Sequence, residues 1–303
     1  VAVVVALAPV STARGADQGG AAGSSTLASP GVEVVLQAPS TARSDTPFTV
    51  TVSASTVTET PASGIVLVVH EVREAQSGTP IDIARGRVTT QADGTATISM
   101  SLWKTASVYA AVATTGADEP AVSAPVQVTV VPVGAVITAP SGAPLPSTRL
   151  PEAPEPLGAG AGAVVSAIPD VLWSRMQGVT WRTGCAPRST LRLISVNYWG
   201  FDGYRYRGVL VVAARVAAAA AAAMTDLYRI RYPIRSMVTP EEFGPNPKGP
   251  GANDYASMAA DNTSGFNCRY VVGHERDKRW SPHAYGLALD INPWENPYLS
   301  HAG

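Results

Sequence analysis

Cysteine is scarce in this sequence, and so are charge, basic excess and long apolar runs. Only Cys185 and Cys268 occur. They leave room for one disulfide or for two separate buried thiols, and for no larger bridged framework. Lys and Arg number 22 against 23 Asp and Glu, a net charge of −1; with no clustered basic surface, no nucleic-acid partner is expected. A stable membrane span is not expected either. Val209–Met224 is apolar but short and is interrupted by Arg215, whereas a spanning helix needs about 20 residues. Charged residues make up only 15% of the chain, and Ala, Val, Thr, Gly and Pro dominate instead. That composition suits β-sandwich modules and exported proteins.

A chain of 303 residues is long for one domain and comfortable for two. Residues 1–16 open on an apolar run followed by small residues, like the remnant of a signal peptide without its basic start or initiator Met; an Ala/Val-rich tail is the alternative. Residues 17–31 are Gly-, Ala- and Ser-rich and read as a flexible lead-in. From 32 to 131 a period of two takes over. Phe48, Val50 and Val52 alternate with Thr49, Thr51 and Ser53; Ala96, Ile98, Met100 and Leu102 alternate with Thr and Ser. Half-buried antiparallel strands have this pattern. Asp93-Gly94 is a hairpin turn signal, and Ile65–Val69 fits a core strand. Around seven short strands predict an immunoglobulin-like β-sandwich. His70, at a strand end with no His or Cys nearby, reads as structural.

Residues 132–165 form a Pro/Ala/Gly linker, stiff at its prolines and loose at Gly158–Gly162, so the two domains are expected to be independent. In 166–303 the composition shifts, with five of the six tryptophans and nine of the ten tyrosines. Strands are expected at Leu191–Val196 and Val209–Val212. A helix is expected at Arg215–Ile230, where Ala217–Ala223 supplies propensity and Pro233 ends it.

The chemistry gathers in Trp280-Ser281-Pro282-His283-Ala284-Tyr285-Gly286-Leu287-Ala288-Leu289-Asp290-Ile291-Asn292. Leu287, Leu289 and Ile291 alternate with Ala288, Asp290 and Asn292, which predicts a strand. A carboxylate buried in such a strand is costly unless paired or metal-bound. Gly286 lets the chain bend so that His283 turns back toward Asp290, and the two can offer a nitrogen and an oxygen to zinc. A catalytic zinc wants a third protein ligand and an open position for water.

Ser-x-His-x-x-Gly-x-Ala-x-Asp, complete here as Ser281, His283, Gly286, Ala288 and Asp290, resembles the first metal motif of the zinc peptidases that include D-alanyl-D-alanine carboxypeptidases and L-alanyl-D-glutamate endopeptidases. Ser257–Arg269, Asn292–Tyr298, Tyr198–Gly203, Leu227-Tyr228 and Tyr232–Met237 resemble neighbouring segments of that family, so the likeness runs from about Met176 to Tyr298. It implies an α+β zinc peptidase domain with a small antiparallel sheet, and Zn2+ as cofactor with His283 and Asp290 as ligands. It gives Arg269 the catalytic role of holding the substrate carbonyl and oxyanion, as an always-charged guanidinium fork can; a surface pair with Asp261 is the alternative. Ser281 would bind substrate or orient a ligand, or else serve as a plain turn serine.

The family's second motif, an acidic base and then a third ligand His, is expected well beyond Tyr298 and is missing from the sequence as given. His301 comes too early, Glu295 looks structural, and His274 sits in a solvated charged loop. A chain without that motif is expected to be inactive or nearly so. The resemblance as a whole implies a secreted, extracellular or cell-wall-associated hydrolase, acting as a monomer on peptidoglycan stem peptides. A non-catalytic cell-wall binding or surface protein is the alternative.

Overall fold

The computed structural model describes residues 31–75, 77–113, 120–138, 145–146, 148, 150 and 153–297. The signal-peptide and lead-in readings, Tyr298 and His301 lie outside the described residues. Observed architecture is mostly β, with few helices and several sheets.

Eight strands come first: β1 (Val32–Gln37), β2 (Thr41–Arg43), β3 (Phe48–Thr56), β4 (Val66–Glu74), β5 (Pro80–Thr89), β6 (Thr95–Met100), β7 (Ala106–Val112) and β8 (Val126–Val131). They form a three-stranded sheet, β1-β3-β6, and a five-stranded sheet, β2-β8-β7-β4-β5. The alternating residues Val50 and Val52 of one sheet meet Leu67, Val69, Val108 and Val128 of the other in one buried cluster. Each such side chain contributes about 1.5–3 kcal/mol on burial, which is why the Thr-rich outer faces can stay wet.

Asp93-Gly94 does form a turn: Asp93 Oδ1 accepts from Thr95 N at 2.9 Å, and Gly94 has φ +76°. It does not form a hairpin, because β5 and β6 belong to different sheets. Ala54 N donates to Gly94 O at 2.9 Å, so the turn lies against β3, and β6 pairs with β3. His70 lies within β4, beside a bulge after Val69, rather than at its end. Its Nδ1 lies 2.8 Å from Asp82 Oδ1, and its ring stacks on Tyr109, a structural setting.

The second unit holds β9 (Val164–Ser166), α1 (Asp170–Met176), β10 (Leu191–Trp199), β11 (Arg205–Ala213), α2 (Ala217–Arg229) and α3 (Asp254–Ala259). β9, β10 and β11 make an antiparallel sheet with β10 central. Its two faces follow the pleat. Ile194, Val196, Tyr198, Leu210 and Val212 pack under α2 through Ala217, Ala221 and Met224. Leu191, Leu193 and Val211 pack on the other face with Phe266, Cys268 and Ala284. Small alanines let α2 approach closely, and the opposite face carries the motif-bearing loops.

The linker does not leave the two units independent. Arg207 N donates to Pro154 O at 2.9 Å, and Leu157 N to Asn197 Oδ1 at 3.0 Å. Glu155 pairs with Arg73 and Arg85 of the sandwich. At the β10–β11 turn, Arg205 pairs with Asp45 at 2.8 Å. Trp103 Nε1 donates to Arg205 O at 2.6 Å, and Tyr204 OH to Val130 O at 2.6 Å. Composition reads the prolines as a spacer because it cannot see these backbone partners. Among the described residues, no helix is long and apolar enough to cross a membrane.

Candidate functional site

The segment around the motif is a tight turn followed by extended chain rather than a strand. Pro282–Tyr285 forms one 3-10 turn with Pro at its first position, where a missing N–H costs nothing. Ser281 Oγ accepts from His283 N at 3.3 Å, so this serine caps the turn that carries the histidine. Gly286 closes it in the left-handed region at φ +66°, and a Cβ there would lie 2.5 Å from Ala213 N. The turn is fixed to the sheet by Ala213 N donating to Gly286 O at 2.9 Å. Beyond it, residues 287–289 are irregular and Asp290 makes one bridge, to Ser264. Alternation misled here because proline, cap and glycine govern the local backbone, and Leu287 is left 39% exposed.

This turn brings His283 and Asp290 together, with Nε2 3.2 Å from Oδ2. His283 Nδ1 lies 2.7 Å from Gly265 O. A carbonyl can only accept, so Nδ1 carries the hydrogen, and in a neutral imidazole Nε2 then holds a lone pair. That lone pair faces the carboxylate oxygen. Two acceptors this close need a positive centre between them, either a proton, making an imidazolium–carboxylate pair, or a metal ion. Donors bound to tetrahedral zinc at its usual bond lengths sit about 3.4 Å apart, and a backbone carbonyl holding the distal ring nitrogen is a common outer partner of a ligating histidine. The pair therefore fits two positions of a zinc site. Among the described residues, no three His, Cys, Asp or Glu side chains gather to hold a metal ion.

Burial pushes the Asp290 carboxyl up, but contact with His283 and the charges of His283 and Arg269 outweigh it and hold the group below the ordinary aspartate value. Arg269 is buried. Its Nη2 lies 4.0 Å from Asp290 Oδ2 and 2.8 Å from Asp254 Oδ2. Asp261 is not its partner. It is held by Arg235, Nε to Oδ2 2.9 Å, and by Trp294 N at 3.0 Å. Burial, then the neighbouring Glu295 carboxyl, pushes Asp261 up to about 6. Cys185 and Cys268 form a disulfide, which pins the loop next to Arg269. His274 lies exposed beside Asp277.

Sequence reasoning missed Asp254 and the Gly265 carbonyl. Asn253-Asp254 reads only as a helix start, which it is, since Asn253 caps α3. Nothing in its spacing points to Arg269.

Compared with known proteins, residues 275–303 match the family described as D-alanyl-D-alanine carboxypeptidase. No curated protein matches the chain. Among solved structures it is similar to superoxide reductase (neelaredoxin) from Ignicoccus hospitalis, at 21% identity over 32% of this chain and 80% of that one, with a TM-score of 0.25. A variant of the same protein matches at 20% identity over 32% of this chain and 79% of that one, also with a TM-score of 0.25. At such a score the likeness carries no argument. The family match is short, but it spans Ser281, His283 and Asp290, and it suggests a peptidase of the D-Ala-D-Ala carboxypeptidase kind.

Proposed function

We propose that this protein is a secreted, cell-wall-associated zinc hydrolase of peptidoglycan stem peptides, a D-Ala-D-Ala carboxypeptidase or a related endopeptidase, joined to an immunoglobulin-like sandwich. The observation that carries the reading is the pair of facing acceptors, His283 Nε2 and Asp290 Oδ2, 3.2 Å apart. The family match over residues 275–303 supports it.

His283 and Asp290 hold the metal in this reading, and Gly265 O fixes the imidazole so that Nε2 points to it. When bound, zinc lowers the pKa of its water to about 7 and polarises the scissile carbonyl. Arg269, always charged and withdrawn from solvent, offers donors to the carbonyl oxygen of the stem peptide and to the oxyanion that develops there. Ser281 keeps His283 in place through the turn. The two packed sheets and the parallel pairing of β2 with β8 support the immunoglobulin-like reading of the sandwich, whose role is to adhere to the wall while a monomer cuts.

The test uses protein expressed from the whole open reading frame, loaded with zinc and given a stem pentapeptide ending in D-Ala-D-Ala. Release of D-Ala or of a stem fragment is expected, with loss of at least 100-fold in His283→Ala and Asp290→Asn. A folded, zinc-loaded protein that holds the peptide and cuts no stem bond would replace the hydrolase with a wall-binding protein.

A further inference from the structure

Asp254 stands at the first turn of α3 with its side chain 4% exposed. Asn267 Nδ2 donates to Oδ1 at 3.4 Å, and Oδ2, which has no hydrogen-bond partner among the described residues, forms an ion pair with Arg269 Nη2 at 2.8 Å. The same Arg269 nitrogen lies 4.0 Å from Asp290 Oδ2, the oxygen that faces His283. One buried guanidinium thus stands between two carboxylates and is committed to the first.

We propose that Asp254 is a positioning residue, which keeps Arg269 from closing onto Asp290 and so leaves Asp290 Oδ2 open to a cation shared with His283. This rests on the metal reading above. A buried guanidinium pairs with whatever carboxylate is in reach, and a charge-assisted pair closes to about 2.8 Å. Asp290 is the next carboxylate, and Arg269 needs to move only about 1 Å to reach it at that spacing. Once there, it would occupy the very oxygen the cation needs. The backbone around Arg269 is held by the Cys185–Cys268 bridge and by Ser281 N donating to Arg269 O at 3.1 Å. Asp254 shares in holding this loop through Asn267, and on the guanidinium, where Nη1 donates to Tyr270 O at 3.1 Å, it is the carboxylate that holds Nη2.

Zinc titration by calorimetry of the full chain tests this in five forms: wild type, Asp254→Asn, Arg269→Met, the double variant, and His283→Ala. Asp254→Asn is expected to weaken zinc binding about tenfold or more, in the range seen when outer partners of a metal site are removed. The double variant is expected to bind as Arg269→Met does, because Asp254 has nothing left to restrain. Wild-type affinity in Asp254→Asn would overturn the proposal. So would a double variant that binds more weakly than Arg269→Met, since the loss would then not run through the arginine. If Asp254→Asn or Arg269→Met does not fold, the double variant, which carries neither buried charge, still decides: zinc binding weaker than wild type there would overturn the proposal, since no guanidinium remains to close onto Asp290. His283→Ala separates the two readings: undiminished zinc binding there would sink the metal site itself, whereas loss there with no effect of Asp254 sinks only the positioning role.

Discussion

At the scale of single residues, the decisive fact is protonation, because Gly265 O dictates which nitrogen of His283 carries hydrogen. This could not be read from the sequence, which offers a His and an Asp seven positions apart and a glycine to bend the chain, but not the carbonyl that selects the tautomer. Asp254 was illegible for the same reason: its partner is distant in sequence, and its local role as a helix-start residue is sufficient explanation for its identity. Asp261 gives a prediction with a definite sign. Its folded pKa, about 6, lies above the ordinary unfolded value of about 3.9. The native state therefore holds more protons between those values, and stability is fully present below about 4 and falls as pH rises through about 6. Asp261→Asn is expected to flatten that fall, as followed by urea unfolding at a series of pH values. An unchanged pH slope would show that Asp261 titrates normally.

Elements supply the rigidity that the site requires. The glycine at 286 was legible as a bend, yet the strand expected after it was not realised. A proline-led turn and a left-handed glycine outweigh three alternating apolar residues. Gly286→Ala places a side chain in a strained backbone region and against Ala213 N, so a loss of about 1–3 kcal/mol is expected, measured by chemical denaturation. A cost below half a kcal/mol would mean that the turn relaxes freely. The disulfide joins positions 83 residues apart. Cys185→Ser with Cys268→Ser is expected to lower stability by about 2–4 kcal/mol, seen as an earlier urea midpoint that added reductant does not shift further. By contrast, α2 was legible almost to the residue, from its alanine run and the proline beyond it, because propensity and apolar spacing agree there.

Across the whole molecule, the antiparallel hairpin β10–β11 connects everything. Nine residues per strand at about 3.3 Å each make a spar of roughly 30 Å. Its turn is docked on the sandwich through Arg205 and Tyr204 and on the start of the linker through Gly203 O, and its open end carries Gly286 and Phe266. Two cores were legible from strand alternation and from the aromatic enrichment of the second half, whereas their docking was not. It depends on Trp103, Asp45 and Arg205, which lie far apart in the chain, and on linker carbonyls that composition does not reveal. Docking predicts one cooperative thermal transition for the wild type. Arg205→Ala leaves Asp45 without its partner and is expected to cost about 3 kcal/mol and to split calorimetric unfolding into two steps. Two separate steps in the wild type would instead mean that the units melt independently.

The bond between Cys185 and Cys268 also sets a timetable. A newly made chain in a reducing interior carries two thiols at these positions, and the loop leading to Arg269 is then held by its hydrogen bonds, those of the Asn267 side chain included, and by the burial of Phe266, without a covalent tie. It becomes fully tethered only when an oxidant closes the bond. Completion of the loop thus depends on surroundings oxidising enough to close that bond.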